Sequence, residues 1–410
     1  MTKLVFNAII SALKTQNAKI RSLTMKLLKI AFDGLPLFNG KGEIDFTATQ
    51  RVTPENADKM SFLFTQNNQN FYLNNVLSFI GINASGKTTV LKTIAFVCKM
   101  LNNESLNNAQ YTEIFDGLQN GQTVDFDVCF YSSESVYFLH TVIQKRDKLV
   151  ITDETLKEKL VSKIKKKTDL FVMDGAKTVM ERNNDEAFLL DDVSIMVAFN
   201  KKAQDELIYT DMLKFTNINR LSLSEDCPAE LISFFDPSVE YIRVKQDGKD
   251  TGGYLKFFNK PEIKLNRLSD IDRYLSSGTI KGINTFLCAM KTFDNGGYLI
   301  VDELENHFNH EIVSTLIRFY MDSKVNHGGA TLIFSTHYAE ILDEFERNDS
   351  IYIVRNRNGI TVENLSKILK RNDIKKSEAY ESDFLKGTVP MYESYMDLKK
   401  NIMLGGKVRK

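Results

Sequence analysis

An α/β fold with a mixed β-sheet built around a phosphate-binding loop is what this sequence predicts, and three segments predict it. Residues 81–88 read Gly-Ile-Asn-Ala-Ser-Gly-Lys-Thr, a complete G-x-x-x-x-G-K-T loop between the apolar run Val76–Ile80 and the helix-like stretch Thr88–Met100. Tyr298–Val301 is a second apolar run and ends in Asp302-Glu303. Thr331–Phe334 is a third and leads into Ser335-Thr336-His337. Short apolar runs that each deliver polar residues at their carboxyl ends are the pattern of buried parallel strands, and ligands gather at that edge of such sheets.

The other elements follow in chain order. Met25–Ile30 is a natural first strand, with alternation over Leu27–Phe32, and Glu43–Ala48 reads as a second. After the loop helix, Val124–Tyr131 and Ser135–Gln144 are separated by Ser132-Ser133-Glu134 and read as a hairpin. Between Lys145 and about Lys260 the pattern changes to charged, broken segments such as Glu154–Lys167 and Gln246–Gly253, without internal repeat or sustained heptads. Order returns with a helix after Ser276, the strand Tyr298–Val301, a helix from about Asn309 and the strand Thr331–Phe334. The strand pair Ser350–Val354 and Gly359–Val362 and a final helix over Tyr392–Met403 complete the chain. The expected organisation is an N-terminal extension over 1–24, a β-rich lobe over 25–144, a compact insertion or lid over 145–262, and a second lobe over 263–410. Leu4–Leu13 follows Lys3 but contains Asn7 and lacks a cleavage site, so a short amphipathic helix is expected there.

Composition excludes several classes. Of 410 residues, 43% are hydrophobic and 26% charged, an ordinary globular balance. Lys plus Arg and Asp plus Glu are 53 each, so no global field selects nucleic acid or membrane as partner. No apolar run reaches the roughly 18–20 residues that span a bilayer. Cys98, Cys129, Cys227 and Cys288 are isolated, which indicates neither a zinc site nor a disulfide framework and fits a reducing cytoplasm. The basic tail (Lys399, Lys400, Lys407, Arg409, Lys410) is either a solvated end or a nucleic-acid contact.

The chemistry follows from residue types. Gly81 and Gly86 let the backbone curl so that successive N–H groups of Asn83, Ala84 and Ser85 point inward, and the following helix adds its positive end. Lys87 then bridges β- and γ-phosphates, and the Thr88 hydroxyl ligates Mg²⁺. Asp302 is placed to hold Mg²⁺, and Glu303 to polarise a water in line with the γ-phosphate. His337, delivered to the same edge, can hydrogen-bond that phosphate; a histidine at a strand end is otherwise structural. Leu275-Ser276-Ser277-Gly278-Thr279 opens a helix and forms a second anion site. One subunit's loop already cradles its own nucleotide, so the Ser276–Gly278 turn would serve an opposing subunit; by itself it is a common helix cap.

The order of these motifs resembles the P-loop ATPase heads of the ABC/SMC type, and within them the OLD (overcoming-lysogenisation-defect) and abortive-infection ATPases of bacterial phage defence. The residues that carry the likeness are Gly-Ile-Asn-Ala-Ser-Gly-Lys-Thr-Thr (81–89), Asp-Glu-Leu-Glu-Asn-His (302–307) and Lys-Lys-Ser-Glu-Ala-Tyr-Glu-Ser-Asp-Phe-Leu-Lys-Gly-Thr-Val-Pro (375–390). The resemblance implies ATP gripped by Gly86, Lys87, Thr88 and Thr89, Mg²⁺ through Thr88 and Asp302, and Glu303 as base. It also implies Ser276 and Gly278 acting in trans and His337 as switch. Glu305-Asn306-His307 falls where such heads place a dimer-crossing loop. A metal pair of His307 with His310 is the lesser alternative to two solvent-facing histidines.

Two positions depart from that pattern. Ser277 stands where transporters have glycine, and the glutamine that links nucleotide to the lid has only Gln144 as a candidate. Arg51 is a candidate to reach nucleotide from the first lobe, with an exposed arginine the favoured alternative. The implied activity is an ATPase that forms a head-to-tail homodimer or higher oligomer around ATP and controls a separate effector, a nuclease or toxin. Residues 338–410 show no Asp-x-Asp metal pattern of a fused nuclease. The rivals are an SMC-like DNA clamp, which requires coiled-coil arms between loop and signature, and a transporter subunit, which the long spacing from Gly81 to Leu275 disfavours.

Overall fold

The computed structural model describes residues 25–183, 189–203, 205–215, 221, 223, 225–247, 250–306, 308–371, 374–389 and 392–403. The expectations for 1–24, His307 and the tail beyond 403 therefore lie outside the described residues.

Two six-stranded sheets carry the fold. The first is antiparallel, in the order β2 (Gly42–Asp45), β1 (Lys26–Asp33), β6 (Thr123–Ser132), β7 (Ser135–Lys145), β8 (Leu149–Leu160) and β9 (Lys177–Glu181). The second runs β10 (Tyr209–Asp211), β14 (Tyr298–Val301), β15 (Thr331–Thr336), β5 (Val76–Ile80), β16 (Ile351–Asn356) and β17 (Ile360–Asn364), parallel throughout except for the last pair. A hairpin of β3 (Met60–Gln66) and β4 (Gln69–Asn74) and a small sheet of β11 (Val239–Asp247), β12 (Asp250–Phe257) and β13 (Ile263–Leu265) flank them. The helices are α1 (Pro54–Ala57), α2 (Lys87–Leu101), α3 (Met196–Ala203), α4 (Ala229–Phe235), α5 (Ser277–Asn295), α6 (His310–Tyr320), α7 (Leu365–Ile368), α8 (Lys376–Glu381) and α9 (Tyr392–Met403). None of them is long and apolar enough to cross a membrane.

The parallel sheet is the middle layer because its strands are apolar on both faces. With a side-chain period of two, Leu77 and Phe79 of β5 join the core that the first sheet and α2 build, while Val76 and Ile80 join the core beneath α5 and α6. Each such fully buried side chain contributes about 1.5–3 kcal/mol. Two buried tyrosines fasten the layers by their polar tips. Tyr298 Oη accepts from Leu27 N (2.7 Å), and Tyr352 Oη accepts from Asp45 N (2.7 Å) and donates to Asp45 O (3.0 Å). Lys26 Nζ donates to the carbonyls of Gly296 and Gly329, tying β1 to the end of α5.

The stretch 145–262 is distributed over three sheets. β8 and β9 extend the first sheet from β7, β10 is the edge strand of the parallel sheet, and β12 pairs with β13 across 262/263. The expected divisions at 144/145 and 262/263 thus run through paired strands. Alternation failed to announce β8 because two of its inward positions are charged. Glu154 is fully buried and accepts from Thr141 Oγ1 (3.0 Å), Ser194 Oγ (2.6 Å) and Ile195 N (2.8 Å), with Arg182 at 3.6 Å. Lys159 is buried with its ammonium on the carbonyls of Asp169 and Val172. The α-helices of this segment have eight and seven residues, so its described residues form no clamp-like arm.

Candidate functional site

The loop 81–88 leaves β5 at the carboxyl edge of the parallel sheet and feeds α2, whose first residue is Lys87. Its glycines are needed for space and for backbone angle. A Cβ on Gly81 would collide with the Val354 carbonyl and the Ser85 side chain. Gly86 has φ +96°, and a Cβ there would lie 2.5 Å from Ile360 Cδ1. Ala84 also takes a left-handed conformation, φ +62°. Lys87 is 7% exposed and donates to Gly81 O (2.8 Å) and Ile82 O (3.2 Å). Burial holds its ammonium below the usual lysine range, opposed by the charges of Glu305, Asp302 and Glu303.

The loop floors a cleft of about 650 Å³ lined by Pro36, Leu37, Asn83–Thr89, Glu303, Asn356, Gly359 and Ile360. That volume lies within the range of small-ligand sites. Its far wall comes from remote sequence. Ile360 N donates to Leu37 O (2.8 Å) and Asn39 N to Ile360 O (2.9 Å), so the β1–β2 turn closes against β17. Pro36, Leu37, Asn356, Gly359 and Ile360 were not read from the sequence, because no local pattern reports such a contact. A second cavity, of about 30 Å³ beside Asn74 and Arg347, is distant from this chemistry and has room for about one or two waters.

The acidic residues meet the loop through strand register. Val301 of β14 pairs with Phe334 of β15, and β15 pairs with β5, so residues 88, 302 and 335 reach one edge. Thr88 Oγ1 donates to Asp302 Oδ2 (2.7 Å), and Ser335 Oγ donates to Asp302 Oδ1. Ser335 also steadies Glu303: its hydroxyl accepts from Glu303 N (2.8 Å) and its carbonyl from Leu304 N (3.1 Å). Glu303 sits at φ +46°, a left-handed conformation that costs a non-glycine residue about 1–3 kcal/mol and persists only where neighbours over-determine it. Its carboxylate is half-buried and lines the cleft.

Glu305, whose place inside the site was overlooked in the sequence, orders the third strand end. It is 2% exposed, and its Oε1 accepts from both Nδ1 (2.7 Å) and backbone N (2.8 Å) of His337. With the carboxylate ionised, the proton belongs on Nδ1. The third acid in Asp302-Glu303-Leu304-Glu305 was the available signal. Lys281 on α5 was also overlooked; a lysine between Ile280 and Gly282-Ile283 on the inward helix face was its signal.

The Ser276–Gly278 turn opens α5 away from this cleft. Ser276 and Ser277 are exposed, and Ser276 Oγ accepts from Thr279 N (3.0 Å) as helix cap. Neither Arg51 nor Gln144 is among the residues that line the cleft. Arg51 is exposed because Arg347, paired with buried Asp349, binds the carbonyls of Gln50 and Arg51 and fixes that loop elsewhere. Gln144 lies where β7 runs on toward β8, bonding Gly121 O (3.2 Å) and accepting from Arg146 Nε (2.8 Å). His310 Nδ1 approaches Ser314 Oγ (3.3 Å), and no three potential ligands converge on a metal position of that kind among the described residues.

The donor set fits a nucleoside triphosphate with a hard divalent cation. A left-handed loop that a Cβ would block, a buried lysine and a hydroxyl already beside a carboxylate are the groups such a ligand engages. Residues 76–343, well over half of the chain, match the family described as "AAA domain, putative AbiEii toxin, Type IV TA system". No curated protein matches the chain.

Proposed function

This chain belongs to the family of AAA domains described as putative AbiEii toxin, Type IV TA system, and from that premise we propose that it is an ATP-hydrolysing head of the ABC type and OLD group. It closes as a head-to-tail homodimer around Mg·ATP and, through that closure, controls a separate effector in defence against phage. The observation that carries the reading is the junction of Thr88, Asp302 and Ser335 beside Glu303.

Backbone N–H groups of 83–86 and the start of α2 hold the phosphates, and Lys87 leaves the Gly81 and Ile82 carbonyls for the β- and γ-oxygens. Thr88 and Asp302 would hold Mg²⁺, which when bound would supply charge neutralisation at those oxygens. Glu303 takes the proton of the water that attacks the γ-phosphorus, while the bond from that phosphorus to the β–γ bridging oxygen breaks and ADP leaves with the electron pair. His337, held at Nδ1 by Glu305, turns Nε2 toward the γ-phosphate and donates to it when both ring nitrogens carry protons, and Ser276–Gly278 of the opposing subunit covers that phosphate from the other side. Leu37 and Ile360 give the base an apolar seat.

The test is Glu303→Gln examined by size exclusion with light scattering, with and without Mg·ATP. Retained binding, lost phosphate release and a doubled mass are expected. A monomer with wild-type turnover refutes the assignment.

A further inference from the structure

We infer that Lys281 is a positioning residue that couples the Ser276–Gly278 turn to Glu303 within one chain, so that the partner's nucleotide sets the hydrolytic geometry of the subunit that presents the turn. The inference rests on the sandwich reading above and adds to it the route by which one site regulates the other.

Lys281 belongs to the 19-residue helix α5 capped by Ser276. At about 1.5 Å per residue it stands roughly 7–8 Å along the axis from that cap, on the same rigid element. Its side chain turns inward, 6% exposed, and Nζ donates to Asn306 O (2.9 Å) while lying 5.6 Å from the Phe308 ring. Asn306 N in turn donates to Glu303 O (2.9 Å). Two hydrogen bonds thus connect the signature helix to the peptide of the strained residue Glu303. The other side of that peptide is held by Ser335 of β15. The 303–306 turn is therefore suspended between a strand that belongs to the loop's own site and a helix whose tip belongs to the other.

The chemistry favours coupling over simple packing. An ammonium at this depth is costly unless charges answer it. Burial pushes that of Lys281 down to about 8, and Glu303, then Glu305 and Asp302, oppose the shift. The lysine thus lies in the field of the three carboxylates around which hydrolysis is organised. A small displacement of α5 on engaging a phosphate at its tip moves the Asn306 carbonyl and with it Glu303, whose φ of +46° has little tolerance.

The test compares wild type, Lys281→Met, Lys281→Gln and Lys281→Arg for binding of a fluorescent ATP analogue, for kcat, and, in the Glu303→Gln background, for Mg·ATP-dependent mass. Loss of a hydrogen bond from a charged group predicts that Lys281→Met lowers kcat at least about tenfold. Nucleotide affinity and ATP-dependent doubling of mass should be retained, Lys281→Arg should recover most of the rate, and Glu303→Gln should mask the Lys281 effect. If the methionine variant does not fold, the glutamine variant, which keeps a donor but no charge, answers the same question. A folded variant with kcat within twofold of wild type overturns the inference. So does parallel loss of affinity, assembly and rate, which marks a purely structural lysine. A wild-type protein that neither hydrolyses ATP nor doubles in mass sinks the sandwich reading itself, and a wild type that does both while Lys281→Met stays fully active sinks only the coupling.

Discussion

Replacing Ser335 by alanine removes one hydroxyl and separates two consequences. The residue is fully buried on β15; its Oγ donates to Asp302 and accepts from Glu303 N at 2.8 Å. The first bond is to a charged acceptor, worth about 1.5–3 kcal/mol, and loss of the second leaves an N–H without its partner, at about 1–3 kcal/mol. The two share one atom, so they are not additive, and a net destabilisation of about 2–4 kcal/mol is expected. For a family of proteins with total stabilities of about 5–15 kcal/mol this is a large fraction. Separately, Asp302 loses one of its donors while that of Thr88 remains, and a partner of that kind is typically worth about 10–100-fold in metal affinity or activity. Urea unfolding measures the first effect, and phosphate release against Mg²⁺ concentration the second. A variant within about 0.5 kcal/mol of wild type, with an unchanged Mg²⁺ midpoint, would refute the view that Ser335 organises the acidic strand end.

Three further outcomes follow from the same geometry. Gly86→Ala places a Cβ against Ile360 at φ +96° and should abolish binding of a fluorescent ATP analogue while circular dichroism stays native. Ser276→Arg should leave nucleotide affinity unchanged and abolish ATP-dependent doubling of mass in light scattering; lost affinity would mean that the turn acts on its own subunit's ligand. Asp45, whose carboxyl is pushed up to about 6 by burial against the donors of Thr47, is ionised more easily unfolded than folded. Its contribution therefore weakens as pH rises from about 4 through about 6, and Asp45→Asn, which keeps an acceptor for Thr47, should gain stability relative to wild type over that window in paired urea titrations.

The loop and the strand ends were readable because their signals are local: a glycine pattern between a strand and a helix, and apolar runs that stop at carboxylates or histidine. The wall of the cleft was not, since Leu37 and Ile360 meet only through backbone bonds between distant turns. The border at residue 144 falls within one sheet for a different reason. Glu154 and Lys159 occupy inward positions of β8, and their satisfaction by Ser194, Ile195, Asp169 and Val172 is tertiary information. Arg51 and Gln144 stand off the cleft wall, where Arg347 and the continuing β7–β8 pairing hold their backbones. The residues that would touch a ligand are more legible than those that hold them, because the supporting roles of Glu305 and Lys281 depend on burial and on partners distant in sequence.

The energetics of the proposed closure set what the γ-phosphate would have to supply. Driving a two-state equilibrium from 1:99 to 99:1 requires about 5.5 kcal/mol of differential binding. A charge-assisted hydrogen bond from the tip of α5 to a phosphate oxygen is worth about 1.5–3 kcal/mol. A two-fold symmetric assembly makes that contact twice, since each subunit offers both a loop and a turn. Two such contacts would supply about 3–6 kcal/mol, which reaches that figure only at its upper end, whereas a single contact at about 1.5–3 kcal/mol falls well short of it. The separation of the exposed Ser276 turn from its own cleft then has a functional sense. A turn placed over its own loop would tighten binding without reporting anything, whereas one that completes the neighbour's site makes the closed state conditional on both nucleotides.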